Sequence, residues 1–271
     1  MKIFEATKVM KRIDDFQILA NLSLSIHQGE RIAITGQNGS GKSSLLKLIG
    51  GIYEETSGKV WRDQLRIAYV PEHFPETIRF KLYEYLMLMG KMNGQSKSII
   101  HEAITQFANR FAISHFLSTP LKKCSKGTKQ KAGIIQALLM KPELLLMDEP
   151  LTGLDDDSQK ELVNQLNQLP AETTIIFTAH DSLLIDHLAH RVIRVDDGAI
   201  SSDTYKQQKE RVLLIRARIP SKEVITDMQL GPQKFVGDNL VDLLVLESES
   251  DQALRLLLER GCSILEVIEK R

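Results

Sequence analysis

The segment that most restricts this chain is Gly36-Gln37-Asn38-Gly39-Ser40-Gly41-Lys42-Ser43. It follows the short apolar run Arg31-Ile32-Ala33-Ile34-Thr35 and precedes a helical pattern at 43–50, which Gly50-Gly51 stops. A glycine-rich loop of this spacing between a strand and a helix is built for phosphate. Its glycines let the backbone wrap a polyphosphate, and its free N–H groups, together with the helix N-terminus, favour an anion. In such a loop Lys42 reaches the β- and γ-phosphates and Ser43 offers a hydroxyl to Mg²⁺. Ser44, in the first helical turn, completes the candidate ATP cradle. Alone, the loop specifies a nucleotide-binding class that spans kinases, GTPases and motors.

Around the loop the patterning is that of an α/β protein. Residues 1–35 read as strands: Leu22, Leu24 and Ile26 alternate with polar neighbours, and His27-Gln28-Gly29-Glu30 reads as a turn. From about 78 to 140 the pattern is mostly helical, with Leu82, Tyr85, Leu86 and Met89, then Ile100, Ala103, Ile104 and Phe107, at helical spacing. Strand and helix patterns then alternate through 143–148, 157–169, 173–180 and 191–196, which predicts a parallel sheet with helices on its faces. After Gly198-Ala199-Ile200 the pattern changes. A polar segment at 205–210 leads to strand 211–219, helix 221–230, strands near 234–237 and 240–247, helix 251–260 closed by Gly261, and strand 263–269. That β-α-β-β-α-β order predicts a small ferredoxin-like α+β domain. The expected division is a nucleotide-binding domain at 1–204 with a helical insert at about 78–140, a linker at 205–210 and a C-terminal domain at 211–271.

Leu144-Leu145-Leu146-Met147-Asp148-Glu149-Pro150 is an apolar run ending in two carboxylates. At a strand end Asp148 can hold Mg²⁺ and Glu149 can polarise a water for attack on a γ-phosphate. A strand with an acidic turn is the plain alternative, and the phosphate loop upstream weighs against it. Between the two motifs lies Cys124-Ser125-Lys126-Gly127-Thr128-Lys129-Gln130-Lys131, opening a helix in which Ser125 is also a suitable N-cap. After them come Leu151-Thr152-Gly153-Leu154-Asp155 and a strand pattern ending in His180.

Taken in order and at these separations, the segments resemble the ATP-binding cassette family over roughly residues 1–203. The resemblance implies a P-loop NTPase motor with a parallel core sheet, an antiparallel β subdomain and a helical insert. It implies ATP hydrolysis with Mg²⁺, by Glu149, His180 and Lys42, in a dimer that sandwiches the nucleotide. Ser125, Lys126, Gly127 and Thr128 fall at the signature positions that face the ATP of the opposite protomer. Asp155 falls at the D-loop aspartate and His180 at the switch histidine. Glu72 stands where the family has the Q-loop glutamine, which places it with Ser43 and Asp148 as a metal-side oxygen donor. The adenine-stacking position falls at Ile13, which is not aromatic, with Phe16 as a substitute. Lys126 and Thr128 also depart from the family pattern.

The form SKGT-x-QK, the Q-loop glutamate and the C-terminal extension resemble ATPase subunits of ABC-2 type bacterial exporters, including the bacitracin-resistance group. The expected partners are a second ATPase subunit and membrane-spanning subunits. The alternative is an ABC ATPase acting on DNA or ribosomes without transport. Lys+Arg and Asp+Glu are both 35, and this neutrality argues against the phosphate neutralisation that drives nucleic-acid binding. No apolar run reaches the about 20 residues of a membrane span, and residues 1–15 lack a signal peptide's apolar core. The expected location is cytoplasmic, peripheral on the inner face of the membrane through the partner subunits. Two cysteines, Cys124 and Cys262, are too few for a disulfide framework.

Overall fold

A computed structural model describes residues 1–180, 182–206, 212–226, 231–237 and 239–269. The chain divides into two compact units, Met1–Lys206 and Gln207–Arg271.

The first unit opens with a long hairpin, β1 (Lys2–Ile13) and β2 (Phe16–His27). The turn 27–30 then leads into β3 (Arg31–Thr35) and, through the phosphate loop, to α1 (Lys42–Ile49). Gly51, at φ +70, takes the chain out of that helix. β4 (Ser57–Arg62) returns to β1, giving a three-stranded antiparallel sheet of order β2-β1-β4. β5 (Ile67–Val70) then precedes the helical insert. The insert is not one continuous helical run. It holds α2 (Leu82–Met92), α3 (Lys97–Arg110) and α4 (Lys126–Leu139), and between α3 and α4 the chain turns through Ala112 at φ +54 and Pro120. The remaining elements are β6 (Leu144–Met147), α5 (Asp156–Asn167), β7 (Thr174–Thr178), α6 (Ser182–Leu188), β8 (Arg191–Asp196) and β9 (Ala199–Tyr205).

Six of these strands form the core sheet, in the order β5-β6-β7-β3-β8-β9. Every pair is parallel except β8 with β9. All of β6 and β7 is buried, as expected for parallel strands covered on both faces. Alternate residues feed two cores. Ala33, Leu145, Met147, Ile175 and Phe177 pack with the helices of the insert, α5 and α6. Ile32, Ile34, Leu144, Leu146 and Ile176 pack with α1 and the antiparallel sheet. Each fully buried leucine or isoleucine contributes about 1.5–3 kcal/mol, so the centre of the sheet carries much of the unit's hydrophobic stabilisation.

This topology positions the site. β5, β6, β7 and β3 are parallel neighbours, with Val70 opposite Met147, Met147 opposite Phe177 and Ile34 opposite Thr178. Their carboxyl ends therefore meet at one edge, where open α/β sheets bind ligands. The loops leaving that edge carry Glu72, Asp148-Glu149, His180 and Gly36–Ser43.

The second unit contains β10 (Val212–Arg218), α7 (Glu223–Thr226), β11 (Gln233–Phe235), β12 (Leu240–Leu246), α8 (Ser250–Glu259) and β13 (Ser263–Glu269). Its sheet is antiparallel throughout, in the order β11-β12-β10-β13, and Ile215, Ala217, Val241, Leu243, Val245, Ala253 and Leu257 form its core. Gly261 follows α8 at φ +75, the left-handed position a helix stop requires. The expected linker starts within β9, because Tyr205 pairs with Arg191. Residues 207–211 and 227–230, parts of the expected linker, strand and helix, lie outside the described residues.

Candidate functional site

The phosphate loop is shaped by backbone that few side chains permit. Gly36 sits at φ +142, and a Cβ there would come within 2.1 Å of Val195 O. Gln37, Asn38 and Gly39 are exposed, and Ser44 is half-buried in the first turn of α1. Lys42 is buried, and its Nζ donates to the carbonyl oxygens of Gly36 and Gln37, both at 3.0 Å. Ser40 Oγ is buried and, among the described residues, has no hydrogen-bond partner. A buried hydroxyl without a partner in a phosphate-binding type of loop is an unused donor that an anion could take.

Asp148 and Glu149 leave the end of β6 in different ways. Asp148 is buried and gathers hydroxyl donors: Ser43 Oγ at 2.9 Å and Thr178 Oγ1 at 2.8 Å on one oxygen, and Tyr69 OH at 3.3 Å on the other. Burial and the Asp148 carboxylate push the Tyr69 phenol well above its usual range, so it stays a donor. Glu149 is set apart by its backbone, at φ +47, a strained position for a residue with a Cβ. Its N–H donates to Thr178 Oγ1 at 2.8 Å, and its carboxylate meets His180 Nε2 at 2.9 Å. Burial raises the Glu149 pKa, while His180 and Lys42 oppose the rise. A partly buried carboxylate with a raised pKa, held by a histidine beside a phosphate loop, has the character of a general base.

Glu72 lies in the loop after β5, with its side chain 44% exposed and 3.6 Å from His73 Nε2. Its charge raises the Glu149 pKa, so it belongs to the same electrostatic neighbourhood. Ser43, Asp148 and Glu72 are a hard, all-oxygen donor set of the kind Mg²⁺ takes. Ile13 and Phe16 face each other across the hairpin turn, where Ile13 is half-buried and Phe16 is 77% exposed.

The signature segment opens α4. Ser125 caps α4 by accepting from Thr128 N at 3.2 Å, and its hydroxyl pairs with Thr128 Oγ1 at 2.9 Å. Thr128 is therefore a buried support of the cap, and Lys126 is exposed. Asp155 caps α5 through Ser158 N at 2.9 Å and pairs with Lys131 at 2.8 Å. These bonds from Lys131 and Ser158 hold the Asp155 carboxyl well below the usual carboxylate range. Sequence reasoning missed Thr178, Tyr69 and Lys131. The signal for Thr178 was a hydroxyl at the end of an apolar strand. The other two contacts span 79 and 24 residues and leave no local trace.

Residues 19–152 match the family model described as ABC transporter. A probable metal transport system ATP-binding protein of Thermotoga maritima is 33% identical over 189 residues, covering 67% of this chain and 76% of that protein. A macrolide export ATP-binding/permease protein of Campylobacter jejuni is 31% identical over 235 residues, covering 80% of this chain. The match spans 36% of that longer protein. A solved dimeric ATP-binding cassette in a post-hydrolysis state, bound to ADP and Pi, aligns with a TM-score of 0.68 at 22% identity, covering 76% of this chain and 99% of that one. At that identity the likeness speaks to the fold. With a phosphate loop, an acidic pair and a capped signature helix on that fold, this chain belongs to the ABC transporter family as one of its ATP-binding ATPase subunits.

Proposed function

We propose that this chain is the ATP-hydrolysing motor of a bacterial exporter of the ABC-2 type, working as one of a pair beneath membrane-spanning subunits. The observation that carries the hydrolytic reading is the Asp148-Thr178-Glu149-His180 array at the end of β6 and β7. Ser43, Asp148 and Glu72 would hold Mg²⁺, which neutralises charge on the phosphates when bound. Lys42 exchanges its two loop carbonyls for β- and γ-phosphate oxygens, and the free Ser40 hydroxyl and loop amides take others. Glu149 accepts the proton of a water whose oxygen attacks the γ-phosphorus. The bond to the β–γ bridging oxygen breaks, and ADP and phosphate leave. His180 holds the Glu149 carboxylate in line for this transfer. Ser125 and Gly127 serve the ATP of the partner subunit, and Asp155 crosses the same interface.

Pairing is supported by the dimeric cassette the fold matches. A groove of the insert lined by Phe80, Tyr83, Met87 and Leu88 supports docking on membrane subunits, since Phe80 is 52% exposed and Leu88 40%. No helix among the described residues is long and apolar enough to cross a membrane, which suits a subunit held peripherally on the cytoplasmic face by others. The export direction draws on the Campylobacter relative and on the SKGT-x-QK signature form. The strand order β11-β12-β10-β13, with a helix after the first and third strands, supports a ferredoxin-like reading of the second unit.

The deciding experiment is Glu149→Gln. ATP turnover should fall by about 10²–10⁴, the usual worth of a general base, while ATP binding persists and an ATP-bound dimer accumulates. Turnover at the parent rate would remove Glu149 from the reaction. Co-purification of a polytopic membrane protein, and ATP-driven export from cells expressing both, tests the transport reading.

A further inference from the structure

Helix α4 and the loop after the acidic pair meet at three points. Gln130 Nε2 donates to Pro150 O at 3.5 Å. A Cβ on Gly127 would lie 2.5 Å from Gly153 O, so the two backbones touch where only glycine fits. Lys131, its side chain 10% exposed, donates from Nζ to Asp155 Oδ2 at 2.8 Å. The other oxygen of Asp155 accepts from Ser158 N at 2.9 Å and Ser158 Oγ at 2.8 Å. One carboxylate thus caps α5 with one oxygen and is anchored to α4 with the other. Lys131 lies a turn and a half beyond Ser125, on the same helix that presents the signature.

We infer that Lys131 is a positioning residue that ties the signature helix to the D-loop, so that Ser125, Gly127 and Asp155 enter the partner's ATP site as one rigid piece. The inference rests on the paired-motor reading above. The physical reason is preorganisation. A segment already held in place does not have to be ordered when two subunits close. Gly127 and Gln130 meet only backbone, and neither contact fixes the Asp155 side chain. The Lys131 ammonium does: its side chain is 10% exposed and that of Asp155 is 61% exposed, so a group held within the fold fixes one at the surface. On that reading a single subunit binds ATP through residues 36–44 with the Asp148 and Glu72 oxygens on the metal side, and not through α4 or the D-loop. Loss of Lys131 should therefore act on closure and leave nucleotide binding alone.

The test uses the full chain carrying Glu149→Gln, with ATP-dependent dimerisation followed by sedimentation and ATP affinity measured with a fluorescent analogue at protein concentrations below dimerisation. Adding Lys131→Met should raise the ATP concentration for half-maximal dimer by about tenfold and change monomer affinity by less than about twofold. Lys131→Arg should recover most of the loss. Asp155→Asn, which keeps the cap, should give the same defect, and the double variant should be no worse than either single change. Parent-like dimerisation of Lys131→Met, or additive losses in the double variant, would overturn the inference. If Lys131→Met does not fold, Asp155→Asn decides, and a parent-like dimer there is equally fatal. A parent that binds ATP without ever dimerising overturns the paired-motor reading, and this inference with it.

Discussion

At the scale of single residues, Thr178 shows how one hydroxyl joins the two residues of the acidic pair. It donates to Asp148 Oδ1 at 2.8 Å and accepts from Glu149 N at 2.8 Å, from a fully buried position. Glu149 meets His180 from a backbone at φ +47, and the bond of its N–H to Thr178 helps maintain that strained turn. Thr178→Val keeps the shape and removes both bonds, leaving a peptide N–H and a carboxylate oxygen without this partner. We expect a loss of about 1–3 kcal/mol in unfolding free energy. ATP turnover should fall further than the stability loss explains, because the acidic pair loses its shared anchor. Denaturant unfolding alongside steady-state ATPase assays checks this, and unchanged turnover would remove the hydroxyl from the site's support.

At the scale of elements, helix ends do much of the positioning. Ser125 caps α4 and Asp155 caps α5, so the signature and the D-loop are each the start of a helix. The Asp155 pKa is lowered by Lys131 first and Ser158 second, which fixes the sign of its pH dependence. A depressed carboxyl adds stability above its unfolded pKa and loses it as pH falls toward the folded one. Asp155→Asn keeps a capping oxygen and removes the charge. Its melting temperature should therefore lie below the parent's at neutral pH, and the gap should close as pH falls through and below the usual carboxylate range. A gap that stayed constant with pH would mean the charge does not contribute. The Ser125 cap was legible because a serine stands just before a helical pattern, whereas the Asp155 cap was not, since the following helix pattern was read from 157 and the helix starts at Asp156. β4, β5 and β9 were not legible. Ser57–Arg62 holds Gly58, Lys59 and Arg62, four-residue β5 is too short to show a period, and Ala199–Tyr205 is a polar edge strand. Nor did the insert's pattern reveal the break at Ala112 and Pro120, where the chain makes only short 3-10 turns at Ser114–Phe116 and Leu121–Lys123.

At the scale of the whole molecule, the site exists because parallel neighbours bring four distant loops to one sheet edge. Gly36–Ser43 and Asp148-Glu149 were readable from local chemistry, whereas Glu72 and His180 were placed only by the family resemblance. Their meeting was supplied by strand order, and contacts such as Tyr69 with Asp148 come only from that order. All of these groups belong to the first unit, and the second unit closes a core of its own around Ile215, Val241, Leu243 and Leu257. Truncation after Lys206 should therefore leave a cooperatively folding protein that binds ATP with parent affinity. The second unit is small and its core is modest, and domains of that size are marginally stable. The full chain should accordingly melt in two steps, and the truncated chain should retain only the step that ATP shifts upward, since a ligand stabilises the unit that binds it. Scanning calorimetry with and without nucleotide reads both. A single transition that moves as a whole with ATP in the full chain, and a collapsed melt after truncation, would show that the first unit depends on the second for its stability.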